Sequence, residues 1–131
     1  MGIFGNLFGG NGSEEKEKSS KIPWIPLTDE NQLEEIKSKS NSKAQFIFKH
    51  STTCGISRMT LNMFTQNYAL KEEEADFYFL DLHQNRNVSN LVSEIFQIRH
   101  ESPQLLIIKE GQVIMHDSHG AIADITLEDY I

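Results

Sequence analysis

The stretch that most restricts the fold is Asp76-Phe77-Tyr78-Phe79-Leu80-Asp81-Leu82, an almost unbroken apolar run. A strand with one wet face alternates apolar and polar residues, whereas a strand covered on both faces does not. The run therefore predicts a central strand with apolar cover above and below. Flanking segments supply that cover at helical spacing. Leu33 and Ile36 stand on one, opened by Thr28 or Asp29 as a cap. Val88, Leu91, Val92, Ile95, Phe96 and Ile98 form the inner side of another, capped by Asn87 or Ser89. A chain of 131 residues is enough for one domain with a real core.

The remaining elements follow from local chemistry. Ala44–Lys49 reads as a strand, and Leu105–Lys109 and Gln112–His116 read as two more, joined by a two-residue hairpin turn at Glu110-Gly111. Trp24–Leu27 carries Pro26, which fits an edge strand. A helix is predicted over Gly55–Leu70 and a last one over Ile125–Ile131, with Ser38–Ser42 and Lys71–Glu74 as polar connectors. The order is β-α-β-α-β-α-β-β-α. Residues 1–21 differ from all of this: five glycines precede a Ser, Glu and Lys run, the composition of a disordered tail. Ile3, Phe4, Leu7 and Phe8 fall at helical spacing there, but the glycines oppose a helix, and Asn6 stands where a myristoylation pattern needs Ser or Thr. The folded domain is expected over residues 22–131.

The chain's single cysteine, Cys54, lies where the strand ending at Lys49 turns into the next helix. Thr52 and Thr53 suit the cap. After the turn, Ile56, Met59, Thr60, Met63, Phe64 and Tyr68 recur at the spacing of one helical face. A sulfur at a helix start meets unpaired backbone N–H groups and the positive end of the macrodipole. Both favour the thiolate, which is the nucleophile. Ser57 offers a hydroxyl one turn on, and Arg58 a charge. The competing reading is a buried, inert cysteine. The small polar neighbours Thr53, Gly55 and Ser57 fit an exposed turn instead.

Composition removes several function classes. A net charge of −7 argues against a general nucleic-acid or anionic-membrane binder. One cysteine excludes an internal disulfide and a multi-cysteine metal site. No apolar run approaches the roughly 20 residues of a membrane helix, and the N-terminus lacks a secretory signal pattern. A cytoplasmic protein is expected. His116 and His119 sit three apart, which on a strand sends them to opposite faces, and no third ligand is near, so no metal site is expected. His83 and His100 read as loop residues. His50 comes just before the cysteine turn, in reach of tuning it.

Ile98 to Val113, with Pro103 ahead of a strand and Lys109-Glu110-Gly111 at its hairpin, resembles the thioredoxin segment that follows the same strand–Cys–helix unit. The resemblance covers most of residues 23–131. It implies an α/β fold, the thioredoxin-like three-layer α/β/α sandwich with a central mixed β-sheet. It also implies that Ser102–Pro103 is cis, that Pro103 lies against the reactive sulfur, and that the backbone of Ser102 pairs with substrate. Two departures matter: Ser57 stands where thioredoxins carry a second cysteine, and no tryptophan precedes Cys54. A lone cysteine needs a second thiol from elsewhere to resolve its mixed disulfide.

Thr53-Cys54-Gly55-Ile56-Ser57, the Trp24, Leu27 and Leu33 lead, and the segment from His116 to Ile122 resemble the YtxJ-type monothiol bacilliredoxins. That family commonly has proline where Gly55 stands. The resemblance implies a thiol–disulfide oxidoreductase acting through Cys54, with Thr53, Gly55, Ser57, Ser102 and Pro103 around the substrate.

 It implies that Cys54 is the catalytic nucleophile, that S-bacillithiolated proteins are the clients, and that bacillithiol serves as a low-molecular-weight thiol co-substrate with no tightly bound cofactor. A second bacillithiol or a partner reductase would regenerate the thiol, and the protein would act as a monomer. Lys49, Arg58 and Arg99 are the cations available to the malate carboxylates of bacillithiol.

Two other readings stay open on sequence. Cys54-Gly55-Ile56-Ser57 is also close to the motif of monothiol glutaredoxins, which carry an iron–sulfur cluster between subunits, although the glutathione-binding Gly-Gly-Asp pattern is missing after Pro103. A non-enzymatic binding module on the same scaffold is the other, since fold does not fix function.

Overall fold

The computed structural model describes residues 22–52, 55–66, 68 and 74–131. The expected tail at 1–21, Thr53, Cys54 and most of the Lys71–Glu74 connector lie outside the described residues. Five strands form one sheet in the order β1-β3-β2-β4-β5: β1 Trp24–Pro26, β2 Ala44–His50, β3 Ala75–Asp81, β4 Gln104–Lys109 and β5 Gln112–Ser118. β3 runs parallel to β1 and β2, while β4 is antiparallel to both β2 and β5. The apolar run at Asp76–Leu82 is thus an internal strand, as its two-faced character requires. At the hairpin, Glu110 and Gly111 have φ of 53° and 74°, the pair of positive values a type I′ turn demands.

Three α-helices lie against the sheet: α1 Asn31–Lys39, α2 Gly55–Gln66 and α3 Arg86–Phe96. Strand periodicity divides the core in two. Phe46, Phe48, Phe77, Leu105 and Ile107 pack with Phe64 and Tyr68 on the α2 side. Ile47, Tyr78, Leu80, Leu106 and Ile108 pack with Leu33 and Ile36 of α1 and Val88, Val92 and Phe96 of α3 on the other. Trp24 closes the first layer, its ring 5.5 Å from Phe79 and 5.9 Å from Phe48. Helices on both faces of a mixed sheet give the three-layer α/β/α sandwich.

Several local expectations are corrected. The last helix, expected over Ile125–Ile131, is replaced by two 3₁₀ turns, His119–Asp124 and Leu127–Tyr130, the first of which packs under α2. So short a segment has too few turns for a propagating α-helix. Neither expected cap forms by a side chain at the N-cap of α1 or α3. At α1, Gln32 Oε1 instead accepts from the N–H groups of Thr28 and Asp29, and Asp29 Oδ1 accepts from Asn31 N–H. α2 ends at Gln66 rather than at Leu70, which lies outside the described residues.

Candidate active site

β2 and α2 bracket the cysteine: the strand ends at His50, Ser51 and Thr52 follow, and the helix opens at Gly55. Thr53 and Cys54 themselves lie outside the described residues, so the site is defined by what surrounds them. In sequence Cys54 directly precedes α2, a helix of 12 residues. No acidic residue stands in the first turn of α2 to oppose a negative sulfur. Gly55 is exposed, and a side chain built on it would meet nothing within 4 Å.

Hydrogen bonds hold the turn from beneath. Ser57 is fully buried, and its Oγ accepts from the N–H of Ser51 at 3.4 Å. Its place is therefore under the turn, joining strand to helix, and its exposure leaves no surface for a substrate contact. Ser51 Oγ lies 2.7 Å from His83 Nε2, while Asp81 Oδ1 accepts from His83 N–H at 3.0 Å. His50 C=O accepts from Leu82 N–H at 3.1 Å. These bonds tie the ends of two adjacent strands together.

Ser102–Pro103 is a cis peptide. β2 and β4 pair as far as Lys49 with Gln104, so the antiparallel register carried one residue further sets Pro103 opposite His50. The loop before it is pinned at almost every residue. Gln104 Nε2 donates to Arg99 C=O at 2.8 Å, Ser118 Oγ donates to Glu101 Oε1, and His119 N–H donates to Pro103 C=O at 3.0 Å. The Ser118 hydroxyl bond, with the nearby His119, holds the Glu101 carboxyl below its usual range. Ser102 Oγ and His50 Nδ1 are both buried with no hydrogen-bond partner. Orphaned polar atoms are rare in folded proteins, and the β2–β4 register puts both of these residues at the same end of the sheet.

The cations separate. Arg58 and Arg99 are exposed, whereas Lys49 is fully buried on the opposite sheet face from α2. Its Nζ donates to Ser93 Oγ at 3.2 Å and lies 3.3 Å from His100 Nδ1. Burial pushes its pKa down to about 8. The same strand sends Lys49 away from the cysteine turn and His50 towards the α2 side.

The expected single face of α2 is really two stripes. Ser57, Thr60 and Phe64 are buried, but Ile56 and Met59 are 55% and 62% exposed and Met63 is exposed beside them. An apolar strip thus borders the cysteine turn. The bonds of Ser51 to His83 and of Lys49 to His100 leave no local signal in the sequence, because each joins residues at least 32 apart. Among the described residues no group of three or more metal-ligating side chains occurs, and no helix is long and apolar enough to cross a membrane.

Comparisons with known proteins agree with this geometry. A chain solved with a thioredoxin fold is 30% identical, at a TM-score of 0.69, and the match covers 82% of this chain and 92% of that one. Thioredoxins from Malassezia sympodialis and Fasciola hepatica match at 15% and 18% identity, with TM-scores of 0.64 and 0.63. Those matches cover 83% and 81% of this chain and 88% and 98% of theirs, and they speak for the fold alone. The family model described as monothiol bacilliredoxin BrxC matches residues 25–127, a span that includes the cysteine turn and the cis-proline. The chain therefore belongs to the monothiol bacilliredoxin family and is a redox protein built on a thioredoxin fold.

Proposed function

We propose that the protein removes bacillithiol from S-bacillithiolated proteins through a mixed disulfide on Cys54. The Cys54 thiolate attacks the bacillithiol sulfur of the client's mixed disulfide. That S–S bond breaks, the client leaves as a thiolate that takes a proton, and Cys54 carries the bacillithiol. A second bacillithiol, or a thiol of a partner reductase, then attacks the new S–S bond and returns Cys54 as thiolate. Electrons balance at each exchange, so no resident cofactor is needed. The cycle calls for an exposed, activated sulfur with open space along the line of attack.

The observation that carries this reading is the family match over residues 25–127, which includes the chain's only cysteine. The structure is consistent with it in three respects. The helix start at Gly55 suits a thiolate, Ser102 beside the cis-proline has an unpartnered hydroxyl, and Ile56 and Met59 offer an apolar border for a protein client. In this reading Thr53, Gly55, Ser102 and Pro103 line the substrate, Ser57 supports the turn, and the protein works as a monomer in the cytoplasm.

The test is a model client carrying bacillithiol on one cysteine. The wild type should release the client thiol and acquire a bacillithiol adduct on Cys54, detected by mass spectrometry. Cys54→Ala should do neither. Faster release from a glutathionylated client than from the bacillithiolated one would overturn the assignment of substrate.

A further inference from the structure

The outer side of α2 carries Ile56, Met59 and Met63, which are 55%, 62% and 45% exposed. Steps of three and four residues set them in one row along the helix, about 10 Å from end to end. The inner side holds Ser57, Thr60 and Phe64, all buried, so the row lies on the side turned away from the sheet. Arg58 and Asn62, also exposed, flank it with polar groups.

Two of those three positions are thioethers. Leucine matches methionine in helix propensity and nearly in volume, so neither the helix nor its packing calls for sulfur there. What methionine adds is oxidisability, because a peroxide converts an accessible thioether to a sulfoxide. Met115 is the contrast within the same domain. It stands on β5, half-buried, and packs against the core layer that Phe46, Phe48 and Phe64 share. Of the three described methionines, two therefore offer their side chains to solvent one helical turn apart.

We propose that Met59 and Met63 form a reversible oxidation site, at which hydrogen peroxide turns the outer row of α2 from apolar to polar. The inference goes beyond the bacilliredoxin reading and holds whichever thiol that reading names. Each thioether sulfur attacks one oxygen of the peroxide. The O–O bond breaks, that oxygen stays on sulfur as the sulfoxide, and the other leaves as water with both protons. Sulfur gives up two electrons and the peroxide gains them. Reversal takes a methionine sulfoxide reductase, whose thiols become a disulfide as the oxygen leaves as water.

The position of the pair decides what oxidation does. A sulfoxide in a core disrupts packing, whereas on this side of α2 it changes only what the surface presents. A sulfoxide is polar, so two of the three apolar members of the row are lost and Ile56 is left alone. Any apolar surface pressed against the row then meets two S=O dipoles. The buried side of the helix, with Thr60 and Phe64, is untouched.

The full-length protein is treated with hydrogen peroxide, folded and in urea, and each methionine is followed by peptide mass spectrometry. In the folded protein Met59 and Met63 should oxidise at least about fivefold faster than Met115, and in urea the three rates should converge. Retention on a phenyl resin reads the surface. It should fall for the oxidised wild type and return after treatment with methionine sulfoxide reductases for both epimers. The double variant Met59→Leu, Met63→Leu keeps the row apolar and every other oxidisable residue in place. Its retention should fall less under the same peroxide, and the difference belongs to the two methionines. Equal oxidation of all three methionines in the folded protein, the same loss of retention in the double variant, or a loss that the reductases leave in place would overturn the proposal.

Discussion

The backbone N–H of Ser51 donates to Ser57 Oγ at 3.4 Å, across the turn that holds Cys54. One serine hydroxyl thus fixes the distance between the end of the strand and the first turn of the helix. It also explains how a position that carries a second cysteine in thioredoxins can be given over to structure. The Ser57 side chain is sealed from solvent, and its hydroxyl serves the join between strand and helix.

Ser57→Ala follows directly. Losing the acceptor strands a buried N–H and should cost about 1 kcal/mol of stability. Exchange at Cys54 should slow without stopping, since the helix N-terminus remains to favour the thiolate. Urea melts and the rate of Cys54 alkylation against pH measure the two effects. Loss of all exchange in a folded Ser57→Ala protein would show that the hydroxyl does more than support the turn.

Gly55 opens α2 with no side chain to lose and open space where one would go. Proline fits the first helical position, where a missing N–H matters little and φ is already helical. Gly55→Pro should stabilise the protein by about 0.4–1 kcal/mol, mainly by restricting the unfolded chain. A thermal melt that shifts upward by a few degrees is the expected result, and a downward shift would mean that the turn requires a backbone proline cannot adopt.

The two stripes of α2 give a sharper comparison. Met59 is 62% exposed and Thr60 is buried, one residue apart. Met59→Lys should change stability by no more than about 0.5 kcal/mol, whereas Thr60→Lys places a charge in the core and should cost several times that. Chemical denaturation of the two variants decides it. Equal effects would return Met59 to the buried face.

That pair also marks how far the sequence could be read. The internal strand was legible because a run such as Phe77–Leu80 has no polar side to show to water, and Glu110–Gly111 because few dipeptides accept two positive φ values. The cysteine turn was legible as a strand running into a helix. Periodicity also located an apolar side on α2. It could not say which of two neighbouring stripes the sheet covers, because Ser57 and Thr60 look polar and yet lie inward. The same limit hid Lys49 and His100: a buried cation is defined by partners on α3 and on a distant loop, and nothing in the local string announces them.

Lys49 yields a prediction with a definite sign. Its Nζ sits among Ser89 C=O, Ser93 Oγ and His100 Nδ1, and no salt bridge to it occurs among the described residues. Burial lowers its pKa from 10.5 to about 8. Below pH 8 folded and unfolded chains are both protonated there, and the full cost of burying the charge is present. Between pH 8 and 10.5 the folded protein sheds the proton while the unfolded chain keeps it, so stability rises with pH. Tyr78 works the other way, its pKa raised by burial to about 12, but only once unfolded tyrosine ionises near pH 10. The window from pH 8 to 10 is therefore the clean one. Across it the wild type should gain roughly 2 kcal/mol relative to Lys49→Met, which has nothing to titrate. Urea denaturation of both proteins at pH 7.5, 9 and 10 reads the difference. Parallel stability curves would mean that Nζ keeps its ordinary pKa, and that the lysine reaches water past His100.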